Sequence, residues 1–459
     1  TFGYNFSLYR PQEFNLNNFY NLRFYQGTGI IMESLPTIGI LGTLALALLI
    51  LSFLSVAIYL LASQRNKEKT YSLGFITAAI ILIYGGVTTR IEGPVIILSV
   101  LIISVALAML LKESESEEKY INLSLKASPK FALALAFVFM VISAGVAYLF
   151  VFLGKIYVAD LYAGAASRNT EVTESGSITR FAQAASLNSR EGRYFTRIGQ
   201  EYMVLANRES LKDQKNLDIE AIRRYLNNSI ASSVRGRDLM PTDVLAVESL
   251  AQIYENAGLY VVDSLTLADG IYKASQKLEP FNPNYYVKLG QIKTTQAISE
   301  KDEAKRKQAL QESKDFFQKA VDEKSNFVPG LYYLSLANEA VGDLDGAVAS
   351  AQKAFAFERS SINYAFNLGR LFQARGKGDD NQNAEALFKN ILGVNDKELN
   401  THFSLGLLYE KTNKNREAID EYNKVIELLP AVQSDVKVRI EKMISNIQNG
   451  IENTPENLQ

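Results

Sequence analysis

Two hydrophobic patterns divide this chain at about Gly154. Before it, long uncharged apolar runs alternate with short polar stretches; after it, apolar residues recur at helical spacing in paired segments. Residues 35–62, 71–87, 94–111 and 131–153 come close to or exceed the roughly 20 residues with which an α-helix crosses the hydrocarbon core of a bilayer. They predict four transmembrane helices, the second and third forming a hairpin across the TTRIEG turn. Small residues within these runs, such as Gly85, Gly86, Gly145 and Ala147, permit close helix approach in a bundle.

The polar connections predict an orientation, because short loops rich in Lys and Arg stay on the cytoplasmic side. Arg65, Lys67 and Lys69 follow the first run, and Lys112, Lys119, Lys126 and Lys130 follow the third, so both connections are expected to be cytoplasmic. The turn carrying only Arg90 is expected outside. Acidic residues in KESESEEK weigh little in this rule. An even number of spans then places residues 1–34 and everything after Lys155 on the outer face.

Beyond Lys155 the chain repeats itself. The clearest unit is residues 401–430, where Leu405 and Gly406 are followed by Tyr409, Ala418, Tyr422 and Pro430. Leu368 and Gly369, with Phe372, Ala384 and Phe388, give a second unit lengthened by a polar GKGDDNQN turn; Leu334 and Ser335, with Gly342, Ala347 and Ala354, give another. Leu289 and Gly290 open a unit whose turn is expected to be swollen by the charged ISEKDEAKRKQ stretch, ahead of Phe317 and Ala320. Fainter units surround Ile198–Gly199 and Ala251–Tyr254, and a degenerate first one ends at Phe181, Ala184 and Asn188. This phase resembles the tetratricopeptide repeat: a small residue lets two helices cross closely, large residues fill the crossing, and a proline stops the second helix.

About seven units and a cap at residues 432–450 are expected. The predicted fold class is therefore all-α: four transmembrane helices followed by a tetratricopeptide-repeat right-handed α-solenoid. Residues 1–34 form an extracytoplasmic loop, 35–154 the membrane domain, and 155–459 the repeat domain with its capping helix. The first helices of the pairs would line a concave partner-binding face carrying Asn284, Val287, Tyr332, Asn363, Phe366, Arg370, Asn400, Phe403, Leu407 and Glu410. The Lys and Asn pattern that clamps a C-terminal carboxylate is absent at the matching positions, which disfavours a chaperone-tail ligand.

Composition narrows the chemistry. The 48 Lys+Arg against 49 Asp+Glu leave no basic excess for a nucleic-acid backbone, so nucleic acid is not an expected partner. No cysteine is present, which removes disulfides, thiolate nucleophiles and Cys-ligated zinc. The single histidine, His402, cannot build a His-rich metal site. No phosphate loop, zinc spacing or Ser/His/Asp arrangement is found, so no catalytic residue, metal or cofactor is expected. The chain opens at Thr1 without a visible signal peptide and reads as part of a longer polypeptide.

One phrase remains. Residues 1–42 are aromatic and run straight into the first apolar run; they carry Tyr9-Arg10-Pro11, Asn21-Leu22-Arg23-Phe24, and Glu33 to Gly42 with Pro36 and Gly39. This phrase resembles the last extracytoplasmic loop and following helix of the O-antigen ligase and polymerase family, whose large bacterial members carry a tetratricopeptide tail. The resemblance implies transfer or polymerisation of glycans carried on a polyprenyl diphosphate, at the outer face of the bacterial cytoplasmic membrane, without metal or nucleotide sugar. Arg23, then Arg10, would hold the diphosphate, which guanidinium binds bidentately. Where many ligases carry a histidine before the helix glycine, this chain has Thr28. Two readings stand open: part of a lipid-linked glycan ligase or polymerase with a partner-recruiting array, or a non-enzymatic scaffold held by membrane lipid and binding a protein partner.

Overall fold

The computed structural model describes residues 2–17, 19–62, 69–89, 93–113, 129–169, 171–213, 215–430 and 433–454. Among them are nineteen α-helices and no strand. The chain divides into two compact units, one of Thr1–Arg10 with Asn21–Pro280, the other of Pro11–Tyr20 with Phe281–Gln459.

The first unit opens with α1 (Phe2–Tyr9) and α2 (Ile30–Ala62). Pro36 cannot donate to the preceding turn, and Gly39, at φ +73°, takes a left-handed conformation that only glycine adopts without strain. The helix therefore breaks near its start. The break is satisfied locally: Asn5 of α1 donates to the Pro36 carbonyl at 3.0 Å, and Thr43 donates to the Gly39 carbonyl at 2.9 Å. Next come α3 (Lys69–Thr88) and α4 (Gly93–Glu113), which pack together and meet α2 in a small core of Ala57, Leu60, Ile76 and Leu110.

Three helices among the described residues are long and apolar enough to cross a membrane: Met32–Ala62, Thr70–Thr88 and Leu133–Ser167. Within α4 the corresponding apolar stretch is the shorter Leu98–Leu110. The basic positions Arg65, Lys67, Arg90, Lys119 and Lys126, on which the expected orientation rests, lie outside the described residues.

The change of pattern at Gly154 does not interrupt the backbone. It falls inside α5 (Pro129–Ser167), a helix of 39 residues and, at about 1.5 Å per residue, about 58 Å long. KIYVADLYAGAAS contains no proline, and its four alanines with Lys155 and Leu161 carry the helix past Gly164. The C-terminal part of α5 serves as the first helix of the first pair, packing Ala159, Ala163 and Ala166 against α6 (Thr179–Leu187) and α7 (Gly192–Ser210). Tyr194 of α7 donates to Asp160 of α5 at 2.5 Å, and burial with this carboxylate holds its phenol protonated well above the usual range. Helix α7 pairs with α8 (Ile219–Leu239), and α9 (Val244–Asn256) with α10 (Ser264–Leu278).

The second unit holds four further pairs and a cap. They are α11 (Pro283–Ser299) with α12 (Glu303–Glu323), α13 (Val328–Ala340) with α14 (Leu344–Phe357), α15 (Ile362–Arg375) with α16 (Asp380–Val394), and α17 (Leu399–Lys411) with α18 (Asn415–Leu428). A side chain added at Gly290, Gly369 or Gly406 would lie 2.5, 2.7 or 2.6 Å from the ring of Phe317, Phe388 or Tyr422, so each small residue admits the aromatic of its partner helix. The capping helix α19 (Ser434–Gln448) adds Ile440, Met443 and Ile447 to the core of the last pairs. The charged stretch expected to swell a turn is mostly helix. Asp302 caps α12 by accepting from the Lys305 amide at 3.0 Å, and EAKRKQ, all good helix formers, lengthens α12 instead.

Candidate interaction groove

Within the first unit, α7 and α9, the first helices of two successive pairs, flank a groove of about 930 Å³. Residues 23–25 of the N-terminal segment supply part of its wall through Arg23 and Tyr25. Arg23 Nε and Nη2 each donate to Glu279 at 2.8 Å, and Nη2 also meets Glu248 at 2.7 Å. Glu279 is 1% exposed, so its charge is desolvated and depends on the guanidinium. Burial pushes the neighbouring Tyr25 phenol up.

The other arginines come from α7 and the turn before it. Arg193 forms a fork with Glu191 at 2.8 and 2.9 Å, which lowers the Glu191 carboxyl. Arg197 donates to Gln200 at 3.3 Å, and Gln200 to Ser249 of α9 at 3.0 Å. Asp243 is occupied as the cap of α9, accepting from the Ala246 amide at 3.1 Å. Arg190 and Arg197 are exposed and make no ion pair among the described residues. The groove thus pairs two arginines internally and presents two more, beside the neutral hydrogen-bonding groups of Gln200, Ser249 and Gln252.

The second unit contains another part of the N-terminal segment. Asn15, 1% exposed, donates through Nδ2 to the carbonyls of Phe281 at 2.6 Å and Glu323 at 3.1 Å. Lys324 Nζ returns 2.6 Å and 3.3 Å bonds to the carbonyls of Asn15 and Asn17. Its ammonium lies 4.8 Å from the centre of the Tyr20 ring, which packs edge-on to Phe327, and burial lowers the lysine pKa. The short 3-10 helix Gln12–Leu16 is therefore held at the turns that precede α11 and α13.

The residues expected on a concave face fare unequally. Val287 is a correction: it is buried with Phe317, Phe327 and Leu334, because its register within α11 turns it into the helix crossing. Phe366 and Phe403 pack on Phe388 and Tyr422, both at 5.9 Å between ring centres, and Leu407 packs against the same core. Arg370 is paired with Glu339, and Glu410 accepts from the Tyr422 hydroxyl at 2.9 Å. Tyr332 packs on Tyr333 and Tyr364, and Asn284 is hydrogen-bonded to Tyr20. Asn363 and Asn400 stand exposed in the first turns of α15 and α17.

Of the two expected diphosphate ligands, Arg23 faces two carboxylates and Arg10 is almost wholly buried at the end of α1. An incoming diphosphate would have to displace Glu248 and Glu279 to reach Arg23. His402 is tied within the last repeats, with Nδ1 2.5 Å from Glu421 and Nε2 2.9 Å from the Asp396 carbonyl. No cluster of three metal-ligating side chains exists among the described residues. Sequence reasoning missed Arg190, Arg193 and Arg197. Their spacing of three and four was visible, yet it lies in one of the fainter repeat units.

No family model matches this chain. A curated relative, the anaphase-promoting complex subunit CDC16 of Saccharomyces cerevisiae, is 36% identical over 107 residues, which cover 23% of this chain and 11% of that protein. Among solved structures, YrrB, described as a TPR protein with an unusual peptide-binding site, aligns with 43% of this chain and 93% of its own at 16% identity and a TM-score of 0.35. A thermophilic TPR protein of Thermus thermophilus, TTC0263, aligns with 46% of this chain and 98% of its own at 18% identity and a TM-score of 0.33. Neither these structures nor the relative is described as a ligase or polymerase of lipid-linked glycans. What the chain's own geometry shows is the fold: helix pairs in series, crossing at a small residue and closed by an amphipathic cap, stack as a helical-repeat array.

Proposed function

We propose that this protein is a membrane-anchored scaffold whose repeat array projects from the outer face of a bacterial cytoplasmic membrane and binds a protein partner. The observation that carries the reading is α5. Its apolar stretch leaves Leu133, Phe137, Phe139, Met140, Phe150 and Leu153 all more than half exposed, an arrangement that lipid covers and water does not tolerate. The same helix then becomes part of the first repeat pair, so anchor and array share one continuous element.

A parity argument supports four crossings. Arg23, before the first apolar run, pairs with Glu248 and Glu279 after the last, so both lie on one side of the bilayer. An even number of spans satisfies this; three do not, so α4 is taken to cross with α2, α3 and α5. The resemblance to glycan ligases supports a second reading, in which the scaffold is the tail of a larger enzyme. The double ion pair at Arg23 favours a structural role for that residue and so the scaffold.

Because the chain contains no cysteine, single cysteines report topology cleanly. With a membrane-impermeant maleimide added to spheroplasts, Thr28→Cys and Ser186→Cys are expected to label and Asn66→Cys to label only after lysis. Labelling of Asn66→Cys in intact spheroplasts, or release of the protein by alkaline carbonate, would overturn the reading.

A further inference from the structure

Residues 11–20 fill a site on the second unit, while the residues on either side of them, Thr1–Arg10 and Asn21–Pro280, belong to the first. The hold on this segment is polar. Leu16 is 71% and Phe19 62% exposed, so two of its large apolar side chains add little burial to the contact. The polar groups are also incompletely matched. Asn15 Oδ1 is buried with no hydrogen-bond partner, and Lys324, 5% exposed, meets carbonyls and the Tyr20 ring but no carboxylate among the described residues. Few buried apolar contacts and an unmatched buried acceptor mark a region that opens by itself, without unfolding the helices beneath it.

We propose that residues 11–20 are an exchangeable internal ligand, and that the site they fill docks a segment of a partner protein carrying an asparagine in a short turn beside an aromatic residue. The proposal deepens the scaffold reading above and rests on it. The site itself specifies this chemistry. The carbonyls of Phe281 and Glu323 lie 2.6 and 3.1 Å from one Nδ2, so they select a side chain with two amide hydrogens to give, which an ionised carboxylate lacks. The Glu323 carbonyl stands at the end of α12, where no donor within the helix remains for it. Lys324 gathers the main-chain carbonyls of residues two apart, Asn15 and Asn17, which the 3-10 turn Gln12–Leu16 presents together. Phe327 receives the edge of the Tyr20 ring, and Asn284 hydrogen-bonds its hydroxyl.

The test uses the full chain in a non-ionic detergent and fluorescence anisotropy with a labelled peptide of sequence PQEFNLNNFY, residues 11–20. Because the internal segment competes, the parent chain should bind it weakly and the Asn15→Ala chain about tenfold more tightly, in proportion to the fraction of open sites. The same peptide carrying Asn15→Ala should bind neither. Within the Asn15→Ala chain, Lys324→Gln should abolish capture, whereas Lys424→Gln, at an exposed lysine of α18, leaves it unchanged. Circular dichroism melting establishes that each variant is folded. In the unaltered chain, amide exchange should show residues 12–20 opening faster than α11 and α13.

Equal affinity in the parent and Asn15→Ala chains, or no binding in either, would overturn the proposal. Tight binding of the alanine peptide would overturn carboxamide recognition, and equal loss in Lys324→Gln and Lys424→Gln would overturn the site. Exchange of residues 12–20 as slow as that of α11 and α13 would show a fixed structural strap. A dimer of the parent chain that the peptide dissociates would overturn a foreign partner in favour of a second copy. Each of these results leaves the scaffold reading to the topology labelling, which tests it separately.

Discussion

Arg23 and Glu279 are separated by 256 positions in the chain, yet the guanidinium meets the carboxylate through two parallel hydrogen bonds of 2.8 Å. The segment that precedes α2 is thereby fastened to the third helix pair, next to the groove.

This pair makes the first prediction. Arg23→Ala leaves Glu279 buried and uncompensated, and the first unit should lose about 3 kcal/mol in chemical denaturation followed by circular dichroism. Arg23→Lys, which cannot reproduce the fork, should recover only part. Unchanged stability in Arg23→Ala would show that the ion pair contributes nothing to the fold and would return this arginine to the list of ligand-binding residues.

Asn15 anchors its segment to the second unit by two bonds from one amide. Asn15→Ala should cost about 1–3 kcal/mol locally and raise amide hydrogen exchange across residues 12–20. Asn15→Asp should be worse, because a carboxylate would face the carbonyls of Phe281 and Glu323. Exchange rates equal to those of the parent protein in both variants would remove the anchor.

At the crossing of α15 and α16, an added methyl on Gly369 lies 2.7 Å from the Phe388 ring. Gly369→Ala should lower stability by about 1–3 kcal/mol despite the better helix propensity of alanine. Combining it with Phe388→Leu should cost less than the sum of the two single changes, since the smaller side chain makes room. Strict additivity in thermal melts would contradict the packing account.

Glu385 supplies the pH dependence. Hydrogen bonds from Lys389 and Lys414 hold its carboxyl down at about 2, against an ordinary 4.5. The folded state resists protonation more than the unfolded chain does, so its stabilisation is complete above about 4.5 and is lost as pH falls towards 2. Glu385→Gln should therefore reduce the loss of urea midpoint between pH 5 and pH 3. An identical slope in variant and parent would place the titration elsewhere.

Much of this molecule is legible in one dimension because its elements are set by local periodicity. The crossings at Gly290, Gly369 and Gly406 follow from a small residue at a fixed offset from an aromatic, and the cap from one more amphipathic helix. The expectations that failed turned on what surrounds a residue. Val287 was expected on an open face and is core; ISEKDEAKRKQ was expected as a loop and extends α12 from its Asp302 cap.

Sequence by itself determined that the described elements are helices, that the long apolar runs lie in the first third of the chain, and that small and aromatic residues pair helices in series. Each of these depends on neighbours within a few turns of chain. Only the tertiary structure decided that α5 passes unbroken from one pattern into the other, and that Arg23 and Asn15 are consumed by contacts with distant repeats. A hydrogen bond or ion pair between residues brought together from far apart in the chain is recorded by no local pattern.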